Sequence, residues 1–333
     1  MVDTYKDIDG LPNDYIWQKE FIEGFMIEKF SKTMEWLDFI PKVETDAESI
    51  VGYREQYSAD TDPKKRLPRK RTSGAEFVVV TASDLQEISA IVAQAGWSVV
   101  FTERARRFAR TDRDMVRRRL MRIINWMGEY MNREIIASLT NATKGVDRET
   151  SGMKFYDRTV AKWSAETANP VDDMILMSQD MEDHAPGYRA TDFFVHKDNF
   201  AEMLRHLINL DVDRPTREAL FGMPQAQMDS IYIPVLGATI HKVQYGLTEG
   251  DIMAMDRSIT PATMYYTYNP EYAPKEFVPM ENGQTLDNNF GLHSHRYLED
   301  KTHELNIQLW LENTIMVKDA TAGLFMPSGS YGI

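Results

Sequence analysis

From Thr111 to Asn141 the chain runs without proline and repeats apolar side chains at steps of three and four: Val116, Leu120, Ile123, Ile124, Met127, Tyr130, Met131, Ile135 and Leu139. That spacing puts them on one stripe of an α-helix. Thr111 suits the N-cap, Asp112 and Asp114 suit the positive helix end, and Asn141 suits the close. At 1.5 Å per residue the helix is about 45 Å long, enough to cross a whole domain, so the remaining elements must be arranged along it. The one glycine inside the stretch, Gly128, costs about 1 kcal/mol relative to alanine. Close backbone packing is therefore expected there.

A chain of 333 residues is long for one compact domain and comfortable for two. Hydrophobic residues at 43% and aromatics at 11% place it among folded proteins, not disordered ones. The absence of cysteine excludes disulfides, thiolate zinc sites and cysteine nucleophiles, and an intracellular place of folding is expected. The N-terminal Met-Val-Asp-Thr-Tyr-Lys-Asp has no basic segment followed by an apolar run, and eighteen apolar residues never follow one another. Neither a secretory signal nor a membrane span is expected.

The net charge of -13 hides an uneven distribution. Lys64 to Arg71 holds six basic residues (Lys64, Lys65, Arg66, Arg69, Lys70 and Arg71), and Arg104 to Arg122 holds nine arginines against two aspartates. Of 38 basic and 51 acidic residues, fifteen and two lie in these stretches, which leaves 23 basic against 49 acidic elsewhere. An acidic body with two basic patches suits association between copies better than broad nucleic-acid binding, which calls for a basic stripe.

Residues 1 to 13 read as an extended arm, and Asp14 onward as a helix ending before Pro41. Trp17, Phe21 and Phe25 need burial on their own core or on a neighbour. Glu48 to Tyr57 and Ala75 to Thr81 favour strand, and the loop between them carries the Lys64–Arg71 cluster, so a long hairpin with a basic tip is expected. Asp84 to Ala95 has Leu85, Ile88, Ile91 and Val92 at helical spacing and reads as a short helix; Trp97 to Phe101 reads as a strand. Residues 145 to 170 are mostly polar and punctuated, with Trp163 as the largest apolar residue. A helix over 172–181, a strand at 193–195, a helix near 198–209 and strands within 230–243, 251–256 and 263–268 follow. Leu305, Ile307, Leu309 and Leu311 alternate with polar or half-polar positions, as in a half-buried strand; Ile315 to Val317 and Leu324 to Met326 add short strands.

There is no phosphate-binding glycine loop and no Gly-x-Ser-x-Gly elbow. One stretch has ligand spacing: His293 and His295 would share a strand face, with Glu299 and His303 beyond. It resembles part of the cupin metal motif, without that motif's bracketing glycines. A metal-dependent cupin-like enzyme is thus the rival from a different class, and metal-free loop histidines are the plainer reading.

The order of elements as a whole resembles the major capsid proteins of tailed double-stranded DNA viruses, the Hong Kong 97-type fold. The resemblance centres on Gly96-Trp-Ser-Val-Val-Phe-Thr102-Glu103 running into the long helix that ends Asn-Arg-Glu-Ile-Ile-Ala-Ser-Leu-Thr-Asn. It implies an α+β fold with an N-terminal arm (1–44) and an extended β-hairpin loop (45–83). It also implies a peripheral domain (84–162 and 304–333) built on the spine helix 111–141, and an axial domain (163–303) with a loop insertion at 269–303. Leu305 to Met326 would complete the peripheral sheet. By the same resemblance the subunit is no enzyme and needs no cofactor. It assembles with itself into hexamers and pentamers of an icosahedral shell in the host cytoplasm, and meets scaffolding, portal and decoration proteins and, without sequence preference, packaged DNA. With no upstream segment of about a hundred residues, scaffolding is expected from another protein or from a piece already removed. The tip Lys64–Arg71 and the arm residues Trp17, Phe21 and Phe25 would make inter-subunit contacts, and Arg117, Arg118, Arg119 and Arg122 would meet acidic residues of an adjacent subunit or DNA. An encapsulin, which shares the fold and encloses protein cargo, is the nearest alternative.

Overall fold

The computed structural model describes residues 19–34, 36, 39–55, 85–105, 113–144, 163, 169–184, 187–209, 229–259, 261–272, 276–277, 286–299, 304–319 and 322–326. The chain divides into two compact units. One gathers residues up to Ile50, Ser89–Glu134 and Thr263–Met316; the other gathers Val51–Ile88, Ile135–Ala262 and the chain from Val317 onward. This partition differs from the expected one: 263–303 group with the first part of the long helix. Among the described residues no helix is long and apolar enough to cross a membrane.

In the first unit a helix over Lys19–Thr33 (α1) leads to strand Lys42–Glu44 (β1). Strands Ser49–Glu55 (β2) and Leu85–Ile91 (β3) pair as a two-stranded ribbon. The short helix expected over Asp84–Ala95 is therefore corrected to β3 and the start of the next strand, Ala93–Phe101 (β4). Ile88, Ile91 and Val92 are β-branched, and pairing along the ribbon, continued by the Val92 N–H donating to the Glu48 carbonyl at 2.9 Å, overrides a weak helical period. The partner of β2 expected at 75–81 lies outside the described residues.

The long helix is continuous over Arg113–Lys144 (α2). Val116, Leu120, Ile123, Ile124, Met127, Met131, Ile135 and Leu139 are all buried, as the periodicity requires. Thr111 lies outside the described residues, and the helix runs three residues beyond Asn141. The β-sheet of this unit contains Ala262–Tyr266 (β9) and Leu305–Val317 (β13), the latter flanked on one edge by β4 and on the other by Leu292–Leu298 (β12). β1 runs parallel to β9, with Val43 opposite Tyr265. The alternation read at 305–311 holds: Leu305, Ile307, Leu309 and Leu311 are buried. The loop expected at 269–303 is corrected in part, since β12 pairs with β13 along its whole length.

The second unit carries a helix over Pro170–His184 (α3), strand Asp192–His196 (β5), helix Lys197–Asn209 (α4), a hairpin of Ser230–Ile233 (β6) and Ala238–Val243 (β7), and strands Ile252–Met255 (β8) and Gly323–Met326 (β14). Proline at the first helical position and Asn169, whose Oδ1 accepts the Asp172 N–H at 3.4 Å, start α3. The sheet order is β14-β8-β5-β7-β6. Leu324–Met326, expected in the same sheet as Leu305–Leu311, instead pairs with β8, where Phe325 lies opposite Met253. Met174, Met177 and Met181 of α3 and Phe200, Met203, Leu204 and Leu207 of α4 close over Phe193 and Val195 of β5. The two remaining elements are the short pairs Glu276–Phe277 (β10) and Leu286–Asp287 (β11), antiparallel to each other in the first unit.

Phe194 points to the other face of β5 and stacks on His241, with ring centroids 5.0 Å apart. His241 Nε2 also lies 2.8 Å from Asp192 Oδ1, while the Thr191 hydroxyl donates to Oδ2 at 2.7 Å. Burial alone would raise the Asp192 pKa, but the hydrogen bonds from His241 and Thr191 outweigh it and hold the carboxyl below the usual range. A depressed carboxylate adds stability above its unfolded pKa, about 4, and that stability fades as pH falls through the lower folded value. Asp192→Asn is therefore expected to cost about 1–3 kcal/mol at neutral pH, the worth of a charged hydrogen bond. In urea titrations at stepped pH, the gap to wild type should close below about pH 4. A gap that widens in acid would contradict this account.

Candidate inter-subunit surface

Helix α1 docks on α2 because one position lets it come close. Gly128 is buried, and a Cβ there would lie 2.3 Å from Thr33 Cγ2. Thr33 thus packs directly on the backbone of α2, as the lone glycine implied. Asn132, fully buried on the next turn of α2, donates from Nδ2 to the Thr33 carbonyl at 3.2 Å. Ile22, Met26, Ile27 and Phe30 bury the remainder of α1, with Phe30 tilted on Phe290 at 4.8 Å. The aromatic-rich N-terminal helix therefore docks on its own chain. Trp17 and the side chain of Phe21 lie outside what the structure describes, and Phe25 is half-buried at the rim.

The spine arginines separate into two groups. Arg119 turns toward the sheet, where its guanidinium donates to the Val100 carbonyl at 3.3 Å and lies 5.4 Å from the Phe101 ring centroid. It braces α2 against β4. Arg117, Arg118 and Arg122, all exposed, line an open groove of about 650 Å³ together with Phe25 and Lys29 of α1 and Met121 and Asn125 of α2. Lys29 sits 5.9 Å from the Phe25 ring centroid and bonds Glu28 at 2.8 Å, as does Lys32. Those two bonds hold the Glu28 carboxyl below its ordinary value. The lining thus combines four cations with the apolar side chains of Phe25 and Met121.

Each described part of the ribbon shows apolar side chains to solvent: Val51 is 57% exposed, Tyr53 61% and Ile91 73%. The basic tip Lys64, Lys65, Arg66, Arg69, Lys70 and Arg71 lies outside the described residues.

The two described histidines of the ligand-spaced stretch, His293 and His295, are engaged by neighbouring rings. His293 and His295 do share a face of β12, but His293 stacks on Trp310 (centroids 5.4 Å, 15°) and its Nε2 accepts the Asn269 N–H at 3.2 Å. Burial, against the opposing pull of Glu312, depresses its pKa. His295 meets Tyr272 edge-on at 5.8 Å, Glu299 is exposed, and His303 lies outside the described residues. Among the described residues no group of three or more histidine, aspartate or glutamate side chains is placed to hold a metal ion.

The sequence matches no protein-family model and no curated protein. Solved structures are similar in fold. A chain of the satellite phage P4 procapsid with its size determination protein matches with a TM-score of 0.52 at 10% identity, over 91% of this chain and 89% of that one. The capsid of an empty GTA particle matches at 0.51 and 10% identity, over 88% and 89%. The chain has a Hong Kong 97-type capsid fold. The groove lies beside the N-terminal half of α2 and is formed with α1. The encapsulin complex of Synechococcus elongatus, at 0.46 and 13% identity over 91% of each chain, adds nothing to that assignment.

Proposed function

We propose that this chain is the major capsid protein of a tailed double-stranded DNA virus, a shell subunit that assembles with itself through hexamers and pentamers into an icosahedral container. The supporting observation is the extent of the capsid fold, which accounts for about nine-tenths of the polypeptide. On this reading the chain performs no turnover and is a component of the virion assembled in the host cytoplasm. Its work is to bury enough surface in repeated contacts to outweigh the entropy of ordering subunits. Exposed ion pairs contribute only about 0–1 kcal/mol each, so repetition and buried aromatics must carry shell stability. Scaffolding, portal and decoration proteins are the further partners, and packaged DNA touches the inner wall without sequence preference.

Negative-stain microscopy of the purified chain tests the reading. Closed, uniform particles are expected; a stable monomer or small oligomer under all assembly conditions would sink it. Particles from the native source should protect double-stranded DNA from nuclease, whereas particles filled with protein cargo would point to an encapsulin. Deleting Pro63–Arg71 should leave the circular dichroism spectrum of a folded subunit and reduce closed particles at least tenfold. Normal particle yield from that deletion would remove the role assigned to the tip.

A further inference from the structure

We infer that the groove between α1 and α2 receives the acidic segment Glu44–Glu48 of a second copy. The inference rests on the shell reading and names the partner of its cationic surface. The lining presents the cations Lys29, Arg117, Arg118 and Arg122 and the apolar side chains of Phe25 and Met121. A phosphate backbone would engage the cations and leave the apolar part of the lining idle, whereas a peptide with carboxylates and one aliphatic side chain uses both.

Such a peptide exists on this chain. Glu44, Asp46 and Glu48 are all exposed, and Val43 beside them is 42% exposed. Among the described residues no other five-residue stretch carries three exposed carboxylates. Thr45 and Ala47 between them are small and uncharged, so the acids can approach a wall without bulk in the way. The segment is tethered to its own sheet at one end. β1 is held in the sheet by its parallel register with β9, and the Thr45 N–H donates to the Tyr266 carbonyl at 2.9 Å. Charge complementarity therefore acts between copies, each offering a groove and an acidic segment, the heterologous arrangement that generates rings.

Because the chain has no native cysteine, engineered pairs report proximity directly. The full-length variant with Asp46→Cys and Asn125→Cys should, on mild oxidation of assembling protein, give a ladder of covalently linked copies. The ladder should exceed at least tenfold that of Asp46→Cys with Ala137→Cys, whose second site lies about 18 Å along α2. A disulfide needs Cα atoms within about 7 Å. Adding Arg118→Glu and Arg122→Glu to the first pair should lower the ladder at least tenfold, with an unchanged circular dichroism spectrum showing that the subunit still folds. The inference falls if no ladder rises above the control, if linkage forms only within single chains, or if the arginine variants keep the ladder and lose only packaged DNA. Closed particles without the ladder would overturn this inference and leave the shell reading standing. The ladder without closed particles would do the reverse.

Discussion

Replacing Gly128 with leucine is expected to destabilise the subunit by about 3 kcal/mol, the upper range for overpacking a closed interface. Any side chain at this position begins with a Cβ 2.3 Å from Thr33 Cγ2 and 3.0 Å from Thr33 Cβ, so α1 must move away from α2. Movement also breaks the bond from Asn132 Nδ2 to the Thr33 carbonyl, leaving a second polar atom of a fully buried amide without a partner, since its Oδ1 already has none. Against this, leucine gains about 1 kcal/mol over glycine in helix propensity, which is too little to change the sign. Alanine makes the argument sharper. Gly128→Ala should cost about 1–2 kcal/mol by the same overpacking, and Thr33→Ala combined with it should recover most of that loss because Cγ2 is gone. Urea unfolding of the four species closes the cycle; additive effects would show that the two residues do not press on each other.

Gly291→Ala is expected to be comparably damaging, for a reason no neighbouring substitution can repair. Its φ of +71° lies in the left-handed region, which costs an L-residue about 1–2 kcal/mol. A Cβ there would stand 2.4 Å from the Glu312 carbonyl oxygen and 3.3 Å from that of Thr267, both backbone atoms. Gly291 is where the chain enters β12, and its carbonyl accepts the Glu312 N–H at 2.9 Å. Strain here is passed directly to the β12–β13 register. Asparagine tolerates the left-handed region better than alanine, so the two substitutions separate conformation from contact. A loss of about 3 kcal/mol or more for both, read by urea unfolding, is expected if the carbonyl contact dominates. A mild effect for Gly291→Asn alone would assign the cost to φ.

Helix α2 was legible because its apolar period is long and uninterrupted, and Gly128 signalled a close approach because nothing else justifies a glycine in mid-helix. Strand β13 was legible for the matching reason, a clean period of two. The segment 84–95 misled because Leu85, Ile88, Ile91 and Val92 fit a helical step over too few residues to compete with edge-to-edge pairing against β2. Leu324–Met326 reads as a strand from its residues, but which sheet it joins is decided by β8, more than sixty residues earlier in the chain. In the basic surface, the cluster Arg117, Arg118, Arg119 and Arg122 was visible as charge density. That Arg119 leaves it for the Val100 carbonyl depends on the phase of α2 over β4, which no local pattern encodes. Lys29 was missed as a member because it comes from α1; a cation one turn from Phe25 was the available signal.

The pairing of β1 with β9 and of β4 with β13 sets a schedule for synthesis. Val43 finds Tyr265, and Trp97 finds Leu309, each across more than two hundred residues of chain. A polypeptide emerging from the ribosome has no seat for β1 until residues 262–266 have been made, and no partner for β4 until residues 305–313 have followed. Contacts so distant in sequence make folding slow. On the shell reading proposed above, they also withhold a finished mating surface from an incomplete chain, so half-translated copies would be poor partners for neighbours that are already whole.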